Sequence, residues 1–138
     1  MTWVLDSSVV IKWYVRERDR DAAVRLIDGD RALVAPQLLI YEIANIVWKK
    51  HRRGDVDTEN GTRILQSLKN APLELMDGVR FAERAWDLAR RLGHPVYDCF
   101  YLACAETLDA TLVTADERFL DALQNADLQS RGCHLADV

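Results

Sequence analysis

The feature that most constrains this chain is an alternation of short apolar runs with longer segments of helical spacing. Thr2 to Leu5, Ala32-Leu33-Val34-Ala35, Leu73 to Met76 and Thr111-Leu112-Val113-Thr114 are too short and too evenly apolar for amphipathic helices. They read as strands buried on both faces, and Cys133-His134-Leu135 adds an edge strand. Between them, Ser8 to Val15 is helical with Ser7 or Ser8 as cap, and Asp19 to about Asp28 forms a second helix. The longest helical signal, Gln37 to Arg53, carries Leu39, Ile43, Ile46 and Val47 at spacings of three and four and stops at Gly54. Further helices are expected over Thr58 to Leu68, Val79 to Leu92, Tyr97 to Leu108 and Asp116 to Leu123. A strand buried on both faces needs helices on both sides, so the pattern predicts an α/β fold with a mainly parallel sheet.

Composition limits the rest. The 138 residues are 49% hydrophobic, with 6 Gly and 3 Pro, which suits one globular domain over 1–138 and excludes disordered or collagen-like chains. No apolar run approaches the roughly 20 residues that span a bilayer. The start, Met1-Thr2-Trp3-Val4-Leu5, has neither a basic region nor a cleavage site, so the expected setting is cytoplasmic, away from membranes. Cys99, Cys104 and Cys133 lack paired spacing, which argues against a disulfide scaffold. His51, His94 and His134 form no spaced set with them, so zinc is not indicated. The formal charge of −4 argues against gripping nucleic acid by bulk charge.

Four acids stand out. Asp6 and Asp116 follow strands, at the ends where parallel sheets bind ligands. Glu42 and Asp98 each sit within an apolar stretch, Leu38 to Ala44 and Pro95 to Ala103. Singly, each has an ordinary explanation: Asp6 closes a turn, Asp116 caps a helix, Asp98 suits a helix dipole, and a buried arginine pairs with Glu42. If the four converge, their repulsion must be relieved by protonation or by a bound cation. Hard oxygen ligands then favour Mg²⁺ or Mn²⁺ over zinc. Setting these four aside leaves acids and bases balanced, so convergence of the four would gather the surplus charge at one cation site.

The conjunction also resembles a known family. Trp3-Val4-Leu5-Asp6-Ser7-Ser8-Val9-Val10, Tyr41-Glu42-Ile43-Ala44-Asn45, Tyr97-Asp98 through Tyr101-Leu102-Ala103, and Leu112-Val113-Thr114-Ala115-Asp116-Glu117-Arg118-Phe119 together resemble the PIN domain. More narrowly they are similar to VapC-type toxins of toxin–antitoxin pairs. The resemblance implies a single PIN-like three-layer α/β/α domain and a Mg²⁺- or Mn²⁺-dependent endoribonuclease. By motif, Asp6, Glu42, Asp98 and Asp116 are its catalytic, metal-holding acids, with Ser8 and Thr114 in support. One departure is clear: many members carry a further acid where this chain has Arg118. The mechanism implied is phosphodiester hydrolysis by water that a metal has made acidic, with no need for the RNA 2′-hydroxyl, so DNA stays open as a substrate.

An acidic pocket repels RNA, so cations must flank it. Arg118 is the first candidate for a phosphate contact. Lys49, Lys50, Arg52 and Arg53 cluster with His51 at a helix C-terminus, where the helix dipole also accounts for them. Arg16, Arg18 and Arg20 alternate with Glu17, Asp19 and Asp21 as a solvated face. Trp13, Tyr14 and Trp48 read as core aromatics or as a partner groove. The resemblance implies an RNA substrate, an antitoxin partner and a homodimer. A receiver domain or a haloacid-dehalogenase-type phosphatase needs a late lysine, yet Lys12, Lys49, Lys50 and Lys69 all lie in the first half. No phosphate-cradling GxxxxGK or GxGxxG occurs. The alternative is a PIN-like binding module that has lost its chemistry.

Overall fold

The computed structural model describes residues 1–138. Strand β1 (Thr2–Leu5) lies at the centre of a five-stranded sheet, with β2 (Ala32–Pro36) and β3 (Glu74–Met76) on one side and β4 (Thr111–Thr114) and β5 (Gly132–His134) on the other. Every pairing is parallel, with Val4 opposite Val34 on one neighbour and Leu112 on the other. Chain order therefore runs outward from β1 to β3, returns across the sheet to β4, and ends at β5. Between β1 and β4 the connections diverge, and that is where open parallel sheets present a crevice at their carboxyl ends.

Seven helices flank the sheet: α1 (Ser7–Val10), α2 (Arg20–Ile27), α3 (Leu38–Arg52), α4 (Thr58–Leu68), α5 (Ala82–Leu92), α6 (Val96–Thr107) and α7 (Glu117–Asn125). Helix α3 packs on α4, whereas α5 packs on α6 and α7, which gives the α/β/α layering. The most enclosed of them is α6, where Cys99 and the whole run from Tyr101 to Ala105 are buried against the sheet and α5. A helix that is apolar nearly all round belongs inside, and its position brings Asp98 within electrostatic reach of Asp6 at the end of β1. Cys99 and Cys104 are free thiols in this core, and burial raises both to a pKa of about 11.

Several expected boundaries shift for identifiable reasons. The first helix is one α turn, Ser7–Val10, followed by a 3₁₀ turn over Ile11–Trp13, and its cap is Asp6 rather than Ser7 or Ser8. Asp6 keeps an extended backbone while its carboxylate accepts from the Val9 amide, so the acid itself starts the helix. The expected Val79–Leu92 helix divides into a 3₁₀ turn, Val79–Phe81, and α5. Strand β5 stops at His134, because Leu135 turns inward and is fully buried. A Cβ at Gly132 in β5 would stand 2.6 Å from the Leu123 side chain of α7, which would have to shift to admit it. Trp13 resolves as core: it is buried and its indole N–H donates to the Ala23 carbonyl at 2.8 Å. Tyr14 is partly buried, and Trp48 stays exposed beneath the Arg52 guanidinium.

Candidate active site

The crevice between β1 and β4 is built from hydroxyls as much as from acids. Leu5 pairs with Val113, so Asp6 and Thr114 emerge next to each other at the strand ends. Asp6 accepts from the hydroxyls of Ser8 and Thr114 and, at 3.3 Å, from the Val9 amide. Ser8 Oγ in turn accepts from the Ala115 amide at 2.9 Å, and Thr114 Oγ1 accepts from the Asp116 amide at 3.1 Å. These bonds stitch the end of β1 to the end of β4 and fix the orientation of the Asp6 carboxylate. Ser8 and Thr114 thus both donate to the Asp6 carboxylate.

The other acids arrive from helices. Asp116 caps α7, with one oxygen accepting from the amides of Arg118 at 3.0 Å and Phe119 at 3.3 Å. Glu42 projects from α3 and accepts from the Tyr101 hydroxyl at 2.6 Å and the Ser7 hydroxyl at 3.4 Å. Asp98 lies in the first turn of α6, with one oxygen 2.6 Å from His94 Nε2. The His94 ring stacks on Phe119, with centroids 4.7 Å apart. Gly93 ends α5 in the left-handed region at φ 62°, and Pro95 precedes α6. That tight turn directs His94 back at Asp98.

Burial puts these carboxyls under strain. Asp6 is 3% exposed, and desolvation outweighs its two hydroxyl bonds and raises its pKa to about 7, with the charges of Asp98 and Glu42 adding to the rise. Glu42 is raised by burial and by Asp98, against the Tyr101 bond. Asp98 is raised by burial and by Asp116, against the pull of His94. The Tyr101 phenol is pushed well above its usual range by burial and by Glu42, so it stays a donor. Desolvation is the largest cause of the rise at Asp6, Glu42 and Asp98 alike.

The tightest group of ligand atoms is not the expected one. One atom each from His94, Asp98 and Asp116 lies within 4.8 Å of the others, while Asp6 and Glu42 stand around this trio and are coupled to it by charge. His94 is the residue that the sequence reading left out. His94 Nε2 is already bonded to Asp98, so the carboxylates are the ligands on offer, and with Asp6 and Glu42 coupled to them by charge they suit a hard divalent cation.

The flanking cations also differ from expectation. Arg118 is exposed and lines a cleft of about 330 Å³ together with Asp116, Lys12 and Arg18. Glu17 does not belong to a freely solvated face: it is partly buried and bridges Lys50 at 2.8 Å and Lys12 at 3.3 Å. Burial works against the Glu17 charge, but the bonds and charges of Lys50 and Lys12 outweigh it and hold the carboxyl below its usual range. Arg53 pairs with Asp55, and His51 lies 2.8 Å from the Val56 carbonyl, so the end of α3 is partly structural.

A parallel sheet whose switch point is ringed by acids defines a class, and comparison with known proteins bears this out. The PIN domain family model matches residues 3–123, and the chain belongs to that family. Ribonuclease VapC3 of Pyrobaculum aerophilum is 30% identical over 123 residues, covering 88% of this chain and 94% of that protein. A solved structure from the same organism superposes with a TM-score of 0.72 at 21% identity, covering 99% of this chain and 91% of the other. A chain of a toxin–antitoxin complex from Klebsiella pneumoniae superposes with a TM-score of 0.64 at 17% identity, over 86% of this chain and 90% of the other.

Proposed function

We propose that this chain is a divalent-metal-dependent endoribonuclease, the toxin of a toxin–antitoxin pair, with Asp6, Glu42, Asp98 and Asp116 as its catalytic acids. The observation that carries this reading is the gathering of all four around the β1–β4 crevice, in a chain that shares 30% identity with a VapC ribonuclease. Mg²⁺ or Mn²⁺ would be held by Asp98 and Asp116, with Asp6 and Glu42 as the neighbouring acids and His94 bonded to Asp98. When bound, such an ion lowers the pKa of water and offsets charge developing on a phosphate.

The chain's own groups do the rest. Ser8 and Thr114 hold the Asp6 carboxylate in one orientation, so its acceptor face is set before substrate arrives. Tyr101 donates to Glu42 and keeps one oxygen occupied, leaving the other to accept a proton from an incoming water. His94 fixes Asp98 through the bond between them. Arg118 stands on the open side as a phosphate contact.

An antitoxin whose basic residue enters the acidic crevice is the partner that fits this charge. A homodimer belongs to the same reading, supported by an apolar cleft of about 300 Å³ rimmed by exposed Tyr41, Val79 and Tyr97. The setting is cytoplasmic, and no helix of the chain is long and apolar enough to cross a membrane. One domain over 1–138 is part of the proposal.

The test is incubation of structured RNA and DNA with antitoxin-free protein in Mg²⁺, Mn²⁺ or EDTA, beside Asp6→Asn and Asp98→Asn. RNA cleavage that needs metal and disappears in both variants is expected. Cleavage that survives EDTA or both substitutions overturns the metal–carboxylate mechanism. A folded protein that cuts nothing is the inactive binding module.

A further inference from the structure

The acids account for one wall of the crevice, and the charges beside it are arranged in a way that the acids do not explain. Lys12 follows Ser8 by one helical turn, so the two side chains leave the Ser7–Trp13 stretch on one face. Ser8 is bonded to Asp6, which sets Lys12 beside the acids rather than out in solvent. Lys12 is 7% exposed, and Glu17 is its one polar partner. An ammonium carries three donors, and Glu17 is the one protein acceptor among its partners. Lys50 leans on the other oxygen of the same carboxylate, and the three side chains together carry one net positive charge.

The location is as informative as the pairing. Lys12 lines two clefts at once. One, of about 320 Å³, is shared with Ser8, Lys49, Lys50 and Arg53; the other, of about 330 Å³, is shared with Asp116 and Arg118. Both include Ala115, the residue between Thr114 and Asp116. Cations on α3 therefore connect through Lys12 to Arg118, along a line that passes the acidic crevice. On α3 and its C-cap, Glu42, Ile46, Lys49 and Arg53 share one stripe, running from the acid to the cations.

We propose that Lys12 is a phosphate-binding residue, holding a phosphate of the RNA strand beside the catalytic acids, with Lys50 as its neighbour and Glu17 as the carboxylate that positions both lysines in the free protein. The phosphate accepts from the Lys12 donors that Glu17 does not engage. Glu17 sets the strength of the site, because neutralising it leaves two uncompensated lysines. The proposal rests on the ribonuclease reading for its ligand, and binding measured without cleavage tests the two separately.

The experiment is fluorescence anisotropy of a short labelled single-stranded RNA against the full chain in EDTA, on an Asp98→Asn background, across a KCl series. Lys12→Met should weaken binding about tenfold and flatten the slope of log K against log salt by about 0.7, the value for one phosphate contact on a single strand. Lys12→Arg should recover the slope, and Glu17→Gln should tighten binding. A folded Lys12→Met with unchanged affinity and slope overturns the proposal. If Lys12→Met does not fold, Glu17→Gln decides alone: tighter binding supports it, and unchanged or weaker binding overturns it. Lys12-dependent binding by a wild-type protein that cuts no RNA in Mn²⁺ would remove the nuclease reading and keep this one. Metal-dependent cleavage with KM unchanged in Lys12→Met would do the reverse.

Discussion

Asp57 and Asp116 do the same local job in two different regions. Asp57 caps α4 by accepting from the Asn60 amide at 2.7 Å, and Asp116 caps α7 by accepting from Arg118 and Phe119. Both have extended backbone, and both precede an acid in the first turn. Asp57 stands in solvent beyond α3, with no other carboxylate forced against it. Asp116 stands at the switch point of the sheet, within 4.8 Å of ligand atoms on His94 and Asp98. Capping alone therefore says nothing about function. The difference comes from what the sheet brings alongside the cap, and Asp6, a third capping aspartate, shows the extreme case at 3% exposure.

Neutralising the cap at the switch point should have the largest effect. Asparagine caps a helix about as well as aspartate, so Asp116→Asn keeps α7 and removes only the charge. RNA cleavage in Mn²⁺ should fall by roughly a thousandfold, the scale of losing one group that stabilises transition-state charge. The melting temperature should stay near wild type. A variant that loses stability but keeps activity would make Asp116 a cap and nothing more.

Asp6 should trade stability for function. Its carboxyl, raised from 3.8 to about 7, is favoured in the protonated form by the fold. The native state then holds more protons than the unfolded chain between those values, so metal-free stability falls as pH rises through that window. The full shift corresponds to about 4 kcal/mol, reached above pH 7. Asp6→Asn should therefore melt higher than wild type at pH 8 in EDTA, while cleaving no RNA. Added Mn²⁺ should stabilise the wild type more at pH 8 than at pH 5, because the ion must displace the proton. Calorimetry at both pH values checks this, and a pH-independent metal effect would contradict it.

His94 marks where the site was not legible in the sequence. The acids stood out because Glu42 and Asp98 interrupt apolar stretches and Asp6 and Asp116 end apolar runs, patterns that reflect desolvation directly. His94 sits in a Gly-His-Pro link, and its direction depends on the left-handed Gly93, a dihedral with no periodic signature. Its spacing of four from Asp98 was the available signal. Lys12 was hidden differently: a lysine between Ile11 and Trp13 reads as a surface residue unless its turn-spacing from Ser8 is noticed. The strands were readable because a buried parallel sheet leaves unbroken apolar runs. The short first helix was not, since its cap is also a site residue.

The consequence for His94 is measurable. A group that orients a metal-ligating carboxylate is worth about 10–100-fold in metal affinity. His94→Gln should weaken Mn²⁺ binding by that factor in calorimetric titration and leave the fold intact, since Phe119 remains buried behind it. Affinity equal to wild type would confine His94 to packing on Phe119.

The smallest effect belongs to the exposed cap. Asp57→Ala removes the bond to the Asn60 amide and should cost about 1 kcal/mol, the usual loss for a helix N-cap. Cleavage and metal affinity should not change, because Asp57 shares no partner with the crevice. Asp57→Asn should recover most of the stability, since the amide oxygen accepts the same bond. Paired with Asp116→Asn, this variant separates the two contributions an N-terminal aspartate can make. One is the hydrogen bond, which α4 and α7 share. The other is a charge placed within reach of Asp98 and His94, which only the sheet's switch point provides.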